Sequence, residues 1–86
     1  MATSEGLLKR TENQDRVLVL SRSYFAGSQR HSAAVWTADC RCDWDHLKIT
    51  IPQLLSTSTV GISFVGSDIP GFYGDPPDDQ IVVRWY

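Results

Sequence analysis

The sequence predicts an α/β fold with a parallel sheet, and three observations support this class. Short apolar runs of strand length alternate with segments whose apolar residues recur at helical spacing. The connecting segments are short and polar, as in sheets whose strands are joined by crossover helices. The 86 residues are 42% hydrophobic and 21% charged, which is ordinary for a globular chain and argues against a disordered, collagen-like or coiled-coil protein.

The first half of the chain is expected to hold a short helix and two strands. Two leucines beside two basic residues predict the last turns of a helix within residues 2–10, and the polar segment 11–16 predicts a loop. The uninterrupted apolar run Val17–Leu20 predicts a strand that is covered on both faces. A shorter strand is predicted at 33–37.

A long helix is predicted to follow Asp43, whose carboxylate can cap it. Its apolar residues recur at helical spacing and are Trp44, Leu47, Ile51, Leu54 and Leu55. This spacing favours a core position for Trp44. Pro52 lies inside the pattern and is expected to kink or divide the helix. The alternation of Leu47, Ile49 and Ile51 leaves a strand open for the same segment.

The last part of the chain predicts a third strand and a final helix. Ile62–Val65 has the length and composition of a short strand. Asp78 or Asp79 could cap a helix that runs to Trp85. The chain stops at Tyr86 inside an apolar run and without a helix-ending signal, which suggests truncation.

A charged residue follows each of the three predicted strands: Arg22, Asp39 and Asp68. The carboxyl ends of parallel strands meet at one edge of the sheet, where α/β proteins form their sites. We therefore expect the three side chains to share a site.

Charge, targeting and cysteine patterns exclude several classes of function. A net charge of −2 provides no basic surface for nucleic acid. No secretory signal is visible, and no apolar run approaches the ~20 residues that span a bilayer. Cys40 and Cys42, separated by one residue, are expected to be free thiols. Their spacing relative to His31 and His46 does not match zinc sites, so no metal is expected.

Several strings, in the same order along the chain, resemble glycoside hydrolase family 31. They are Leu20–Arg30, Val35–Asp39, Trp44–Pro52, Gly66–Phe72 and Val83–Tyr86. The resemblance extends along nearly the whole chain. It implies that residues 1–86 are a fragment of a (β/α)8 TIM barrel, roughly its fifth to seventh strands with the intervening helices. It also implies the activity of a retaining α-glycosidase without a metal or organic cofactor.

The resemblance also implies roles for five residues. Asp39 takes the place of the general acid/base, and Arg22 matches an arginine that contacts the sugar in the −1 subsite. Trp36 matches a subsite wall, Asp68 a carboxylate that binds sugar hydroxyls, and Phe72 a nearby aromatic residue. Retaining hydrolysis needs such an acid/base together with a second carboxylate that acts as nucleophile.

The chain departs from the family pattern at important points. The nucleophile string Trp-x-Asp-Met-Asn-Glu is absent, as is a downstream Arg-Asn-His string. Ala38 replaces the usual glycine before the acid/base, Cys40 the usual asparagine, and Pro70 a glycine. We expect the isolated chain to leave apolar sheet faces uncovered, to fold poorly and to be inactive.

The resemblance implies a substrate as well, and alternatives stay open. The strings Gly27–Arg30 and Trp44–Lys48 favour the branch that removes terminal α-linked glucose from N-glycans in the endoplasmic reticulum lumen, with a non-catalytic β subunit as partner. A starch- or maltose-type α-glucosidase of the same family is one alternative. A sugar-binding pseudoenzyme without turnover is the other.

Overall fold

The computed structural model describes residues 2–31, 33–75 and 78–86. It has three helices and three strands, in the order α1 (Ala2–Arg10), β1 (Val19–Ser21), β2 (Ala33–Trp36), α2 (Trp44–Thr59), β3 (Val65–Gly66) and α3 (Asp79–Trp85). A short 3-10 turn, Ser28–His31, precedes β2. The predicted α/β class is confirmed.

The three strands form one parallel sheet in the order β1-β2-β3, with β2 in the centre. The bounds of all three strands differ from the prediction, and β2 ends at Trp36 and not at position 37. β1 begins at Val19, where pairing with Ala33 begins, and not at Val17. β3 is Val65–Gly66 and not Ile62–Val65. The side chain of Ile62 is packed in the core, with 2% exposed, but its backbone does not join the sheet.

Helix α2 is continuous from Trp44 to Thr59, so the alternative of a strand in this segment is wrong. The Asp43 carboxylate caps it by accepting a hydrogen bond of 2.8 Å from the His46 backbone N–H. This bond is the main reason that the pKa of Asp43 lies below its usual value. Pro52 does not divide the helix. Pro52 and Lys48 are both exposed, so water can reach the Lys48 carbonyl that a proline cannot bond.

The two faces of the sheet differ in burial. On one face Val35 is only 2% exposed, and α2 lies against the sheet at β3. On the other face Leu18, Leu20 and Phe64 are 60%, 63% and 66% exposed. The expectation that Val17–Leu20 is covered on both faces is wrong for this chain, because none of the described segments packs over that side. We call these three side chains the open face.

A second small core lies between α2 and α3. It consists of Cys40, Ile81 and Trp85, with Leu47 packed against it. Asp78, and not Asp79, caps α3 by accepting a 2.8 Å hydrogen bond from the Ile81 N–H.

Trp44 does not join either core, contrary to the expectation from its spacing. It is 50% exposed, because the first turn of α2 has no described element over that side.

The molecule is extended, with a radius of gyration of 15.5 Å and dimensions of 46 × 25 × 17 Å. A compact chain of this length would have a radius of about 12 Å. The difference agrees with a sheet that is covered on one face only. Among the described residues, no helix has both the length and the apolar character that crossing a bilayer requires.

Candidate functional site

Arg22 and Asp39 approach each other at the carboxyl end of the sheet. Arg22 directly follows β1, and Asp39 lies three residues beyond β2. The distance from Arg22 Nη1 to Asp39 Oδ1 is 3.9 Å, and the two side chains are 59% and 41% exposed. A pair this exposed adds little to stability. Both groups are therefore accessible to a ligand.

A cavity of about 600 Å³ lies over the open face of the sheet. Four of the five predicted site residues line it: Trp36, Asp39, Asp68 and Phe72. Arg22 lines a neighbouring cleft of about 440 Å³, which Trp36 also borders. The structure thus brings the five residues to one edge of the sheet, with Arg22 on the far side of Trp36 and in reach of Asp39.

Asp68 has an unused acceptor. Its Oδ2 is buried and has no hydrogen-bond partner among the described residues. A buried carboxylate oxygen without a partner carries a desolvation cost, and a hydroxyl group that donates to it removes that cost. Asp68 itself lines the cavity, whereas this oxygen is closed off from solvent.

Cys40 connects the loop after β2 with the loop after β3. Its thiol is free and buried, and its Sγ lies 3.9 Å from the Asp68 backbone oxygen. Burial is the main reason that the pKa of the Cys40 thiol is raised, and the nearby Asp68 charge acts in the same direction. Cys40 is therefore a neutral packing group beside Asp39 and not a nucleophile.

Helix α3 supports the loop that carries Asp68. The indole N–H of Trp85 donates to Ser67 Oγ at 3.3 Å, and Trp85 packs in the same core as Cys40. Sequence reasoning did not identify these supporting contacts. The apolar end of the chain signals only that Trp85 is packed, and not which loop it contacts.

Ala38, directly before Asp39, has a φ of +67°. This left-handed conformation is unfavourable for residues with a Cβ and favours glycine. The observation gives a physical reason for the glycine that the resemblance implies at this position. The backbone leading into Asp39 is consequently strained in this chain.

The whole chain matches one protein family. Residues 1–86 match the family described as "Glycosyl hydrolases family 31 TIM-barrel domain". The chain is 56% identical over 86 residues to "Probable glucan 1,3-alpha-glucosidase" of Oryza sativa subsp. japonica. It is 51% identical over 86 residues to "Neutral alpha-glucosidase AB" of Homo sapiens. Each match covers 100% of this chain and 9% of the relative, so the chain spans about a tenth of their length.

A solved structure gives the same result. The crystal structure of glucosidase II alpha subunit, Glc1Man2-bound, superposes on 98% of this chain with a TM-score of 0.87 and 45% sequence identity, over 9% of its own length. The match to the family extends over the full chain, and the fold agrees with that of a solved relative. This chain therefore belongs to glycoside hydrolase family 31.

Proposed function

We propose that this chain is the part of an α-glucosidase catalytic barrel that carries the general acid/base. In this proposal residues 1–86 supply roughly the fifth to seventh strands of the (β/α)8 barrel with their helices. The observation that carries it is the shared cavity at the strand ends, which Asp39 and Asp68 both line, with Asp39 3.9 Å from Arg22.

Asp39 would act first as an acid and then as a base. It would donate its proton to the glycosidic oxygen as the bond to the sugar breaks, and then take a proton from the attacking water. Trp36 supplies an apolar wall of the same cavity. The nucleophile must come from a carboxylate outside the strands of this chain, about 5–5.5 Å from Asp39.

The other four residues would hold the sugar. Arg22 can donate charge-assisted hydrogen bonds to hydroxyl groups near Asp39, and the Asp68 carboxylate, which lines the same cavity, can accept one. Trp36 and Phe72 contribute aromatic surface to the cavity wall. None of these roles requires a metal or an organic cofactor.

The substrate we propose is a terminal α-linked glucose on an N-glycan. A solved relative of this fold is bound to Glc1Man2, which contains glucose and mannose. Another is the ER glucosidase II heterodimeric complex of a catalytic subunit and the binding domain of a regulatory subunit. These relatives support a glucosylated glycan as substrate, the endoplasmic reticulum as location and a non-catalytic β subunit as partner.

A sugar-binding protein without turnover is the second candidate. The observation that favours it is the strained backbone directly before Asp39, where Ala38 has a φ of +67°. Calorimetric titration with deoxynojirimycin separates the two candidates. Saturable binding to the chain alone, without hydrolysis, would support the second candidate.

The proposed function is tested by exchanging segments between relatives. The 86 matching residues of human neutral alpha-glucosidase AB are replaced by this chain, and we call the product the replacement enzyme. We expect it to release glucose from a nitrophenyl α-glucoside and to lose this activity when Asp39 is changed to Asn. A folded replacement enzyme with no turnover, or with turnover that the Asp39→Asn change leaves intact, would contradict the proposal.

Relieving the backbone strain at Ala38 should stabilise the loop that carries Asp39. In the replacement enzyme, Ala38→Gly is expected to gain about 1 kcal/mol locally, because φ is +67°. Amide exchange in a peptide covering residues 38–41 should then slow by about fivefold. Ala26→Gly is the control, since Ala26 is exposed and is not among the described residues with positive φ. Equal slowing in both variants would show that strain at Ala38 is not the cause.

A further inference from the structure

The loops that follow β2 and β3 are joined by a short ladder of backbone hydrogen bonds. The Cys40 carbonyl oxygen accepts from the Phe72 N–H at 2.7 Å and from the Tyr73 N–H at 3.3 Å. The Cys42 N–H donates to the Tyr73 carbonyl at 2.8 Å. We call residues 40–42 and 71–73 the clasp. Since its bonds connect two separate loops, it fixes one loop relative to the other.

Gly71 allows the two sides of the clasp to approach. A Cβ at this position would lie 2.7 Å from Cys42 N, 2.8 Å from Cys42 Cα and 2.9 Å from the Arg41 carbonyl carbon. These are backbone atoms that are themselves held by the clasp, so they cannot rotate away as a side chain could. Any other residue at position 71 must push the two loops apart.

The clasp is continuous with the predicted site. Cys40 directly follows Asp39, and Phe72 directly follows Gly71. The Gly71 N–H donates to the Asp68 carbonyl oxygen at 3.0 Å. A shift of Gly71 is therefore passed directly to Asp68 and Phe72, and through Phe72 and Cys40 to Asp39. Asp39, Asp68 and Phe72 all line the same cavity.

Arg41 holds the outer side of the clasp. Its Nε donates to Asp43 Oδ2 at 3.1 Å, and its guanidinium lies 5.8 Å from the centre of the Tyr73 ring. Its backbone N–H donates to His46 Nδ1 at 3.0 Å, which ties the clasp to the start of α2. With this side fixed, a Cβ at position 71 would displace the loop of Asp68 and Phe72 relative to Asp39.

We propose that Gly71 is a positioning residue of the active site, which sets the position of the acid/base Asp39 relative to the sugar-binding residues Asp68 and Phe72. The proposal rests on the proposed function. It predicts that Gly71→Ala separates the acid from the glycosidic oxygen without removing any group that touches the sugar.

The test compares Gly71→Ala with Gly74→Ala in the replacement enzyme. The two glycines have nearly the same φ, +114° and +116°, so the backbone strain added by a Cβ is matched. At Gly74 the nearest atom to an added Cβ, Cys42 N, is 3.7 Å away, which is an ordinary contact. The difference between the variants therefore reports the close approach alone.

We expect Gly71→Ala to lower kcat on an α-linked glucose disaccharide by about 100-fold, the effect of misplacing a catalytic group by about 1 Å. The loss on α-glucosyl fluoride should be much smaller, because fluoride leaves with little help from an acid. Gly74→Ala should retain both activities to within a few fold. Equal losses on the two substrates, or equal effects of the two variants, would overturn the role of Gly71.

Amide exchange separates this proposal from the proposed function. If the unsubstituted replacement enzyme is inactive, or Asp39→Asn has no effect, the proposed function fails and amide exchange decides the clasp. Gly71→Ala must then speed exchange in peptides covering residues 40–42 and 71–73, whereas Gly74→Ala must not. Unchanged exchange with Gly71→Ala would refute the clasp itself.

Discussion

Asp39→Asn is expected to reduce turnover of a glucose disaccharide by the replacement enzyme by about 10²- to 10⁴-fold, the usual contribution of a general acid. Asparagine keeps the size of the side chain but cannot transfer a proton. Turnover of α-glucosyl fluoride should fall much less, because that leaving group scarcely needs protonation. Measured kcat values for the two substrates give the comparison directly.

The control for this change is Asp45→Asn, which removes the same charge from an exposed position in the first turn of α2. It should leave both activities within a few fold of the unsubstituted enzyme. Equal losses in Asp39→Asn and Asp45→Asn would contradict the role of Asp39.

The isolated 86-residue chain is expected to self-associate, to bind a hydrophobic dye and to hydrolyse no α-glucoside. The open face exposes Leu18, Leu20 and Phe64 by 60–66%, next to the unpaired edges of a three-stranded sheet. Changing these three residues to serine should convert most of the aggregated chain to monomer, as measured by sedimentation velocity.

A matched control removes equally exposed apolar side chains from elsewhere. Ile51, Leu55 and Val83 are 59%, 62% and 71% exposed but lie on helices and not on the sheet. Serine at these three positions should change the monomer fraction little. If both triple variants behave alike, association depends on total apolar exposure and not on the open face. A purified monomer of the unsubstituted chain that cleaves a nitrophenyl α-glucoside would contradict the expected inactivity.

Local patterns were sufficient to predict most of the elements. The Asp43 cap and the spacing of apolar residues after it identify α2, because capping and helical periodicity both act within a few residues. The bounds of β1 and β3 were less accurate. A strand begins where a neighbouring strand offers a partner, as Ala33 does for Val19, and one segment's apolarity does not contain that information.

The site was predictable in part for the same reason. The order of strands and charged residues indicates that Arg22, Asp39 and Asp68 meet at one edge of the sheet, and the structure brings them there. The contact that requires Gly71 was not predictable. It depends on the close packing of two loops, in which a Cβ added at Gly71 would lie 2.7 Å from Cys42 N. Such packing leaves no periodic trace in the sequence. The chemical roles of Arg22, Asp39 and Asp68 are predictions that the variants test.

The burial of Cys40 has a consequence for the redox chemistry of the chain. In an oxidising compartment, such as the lumen proposed for this protein, a thiol exchanges with disulfides through its thiolate. Burial raises the pKa of Cys40 and keeps it protonated, whereas Cys42 is only partly buried. Oxidants and mixed disulfides should therefore modify Cys42 first. Folding therefore makes the sulfur next to Asp39, the proposed acid/base, less reactive than that of Cys42.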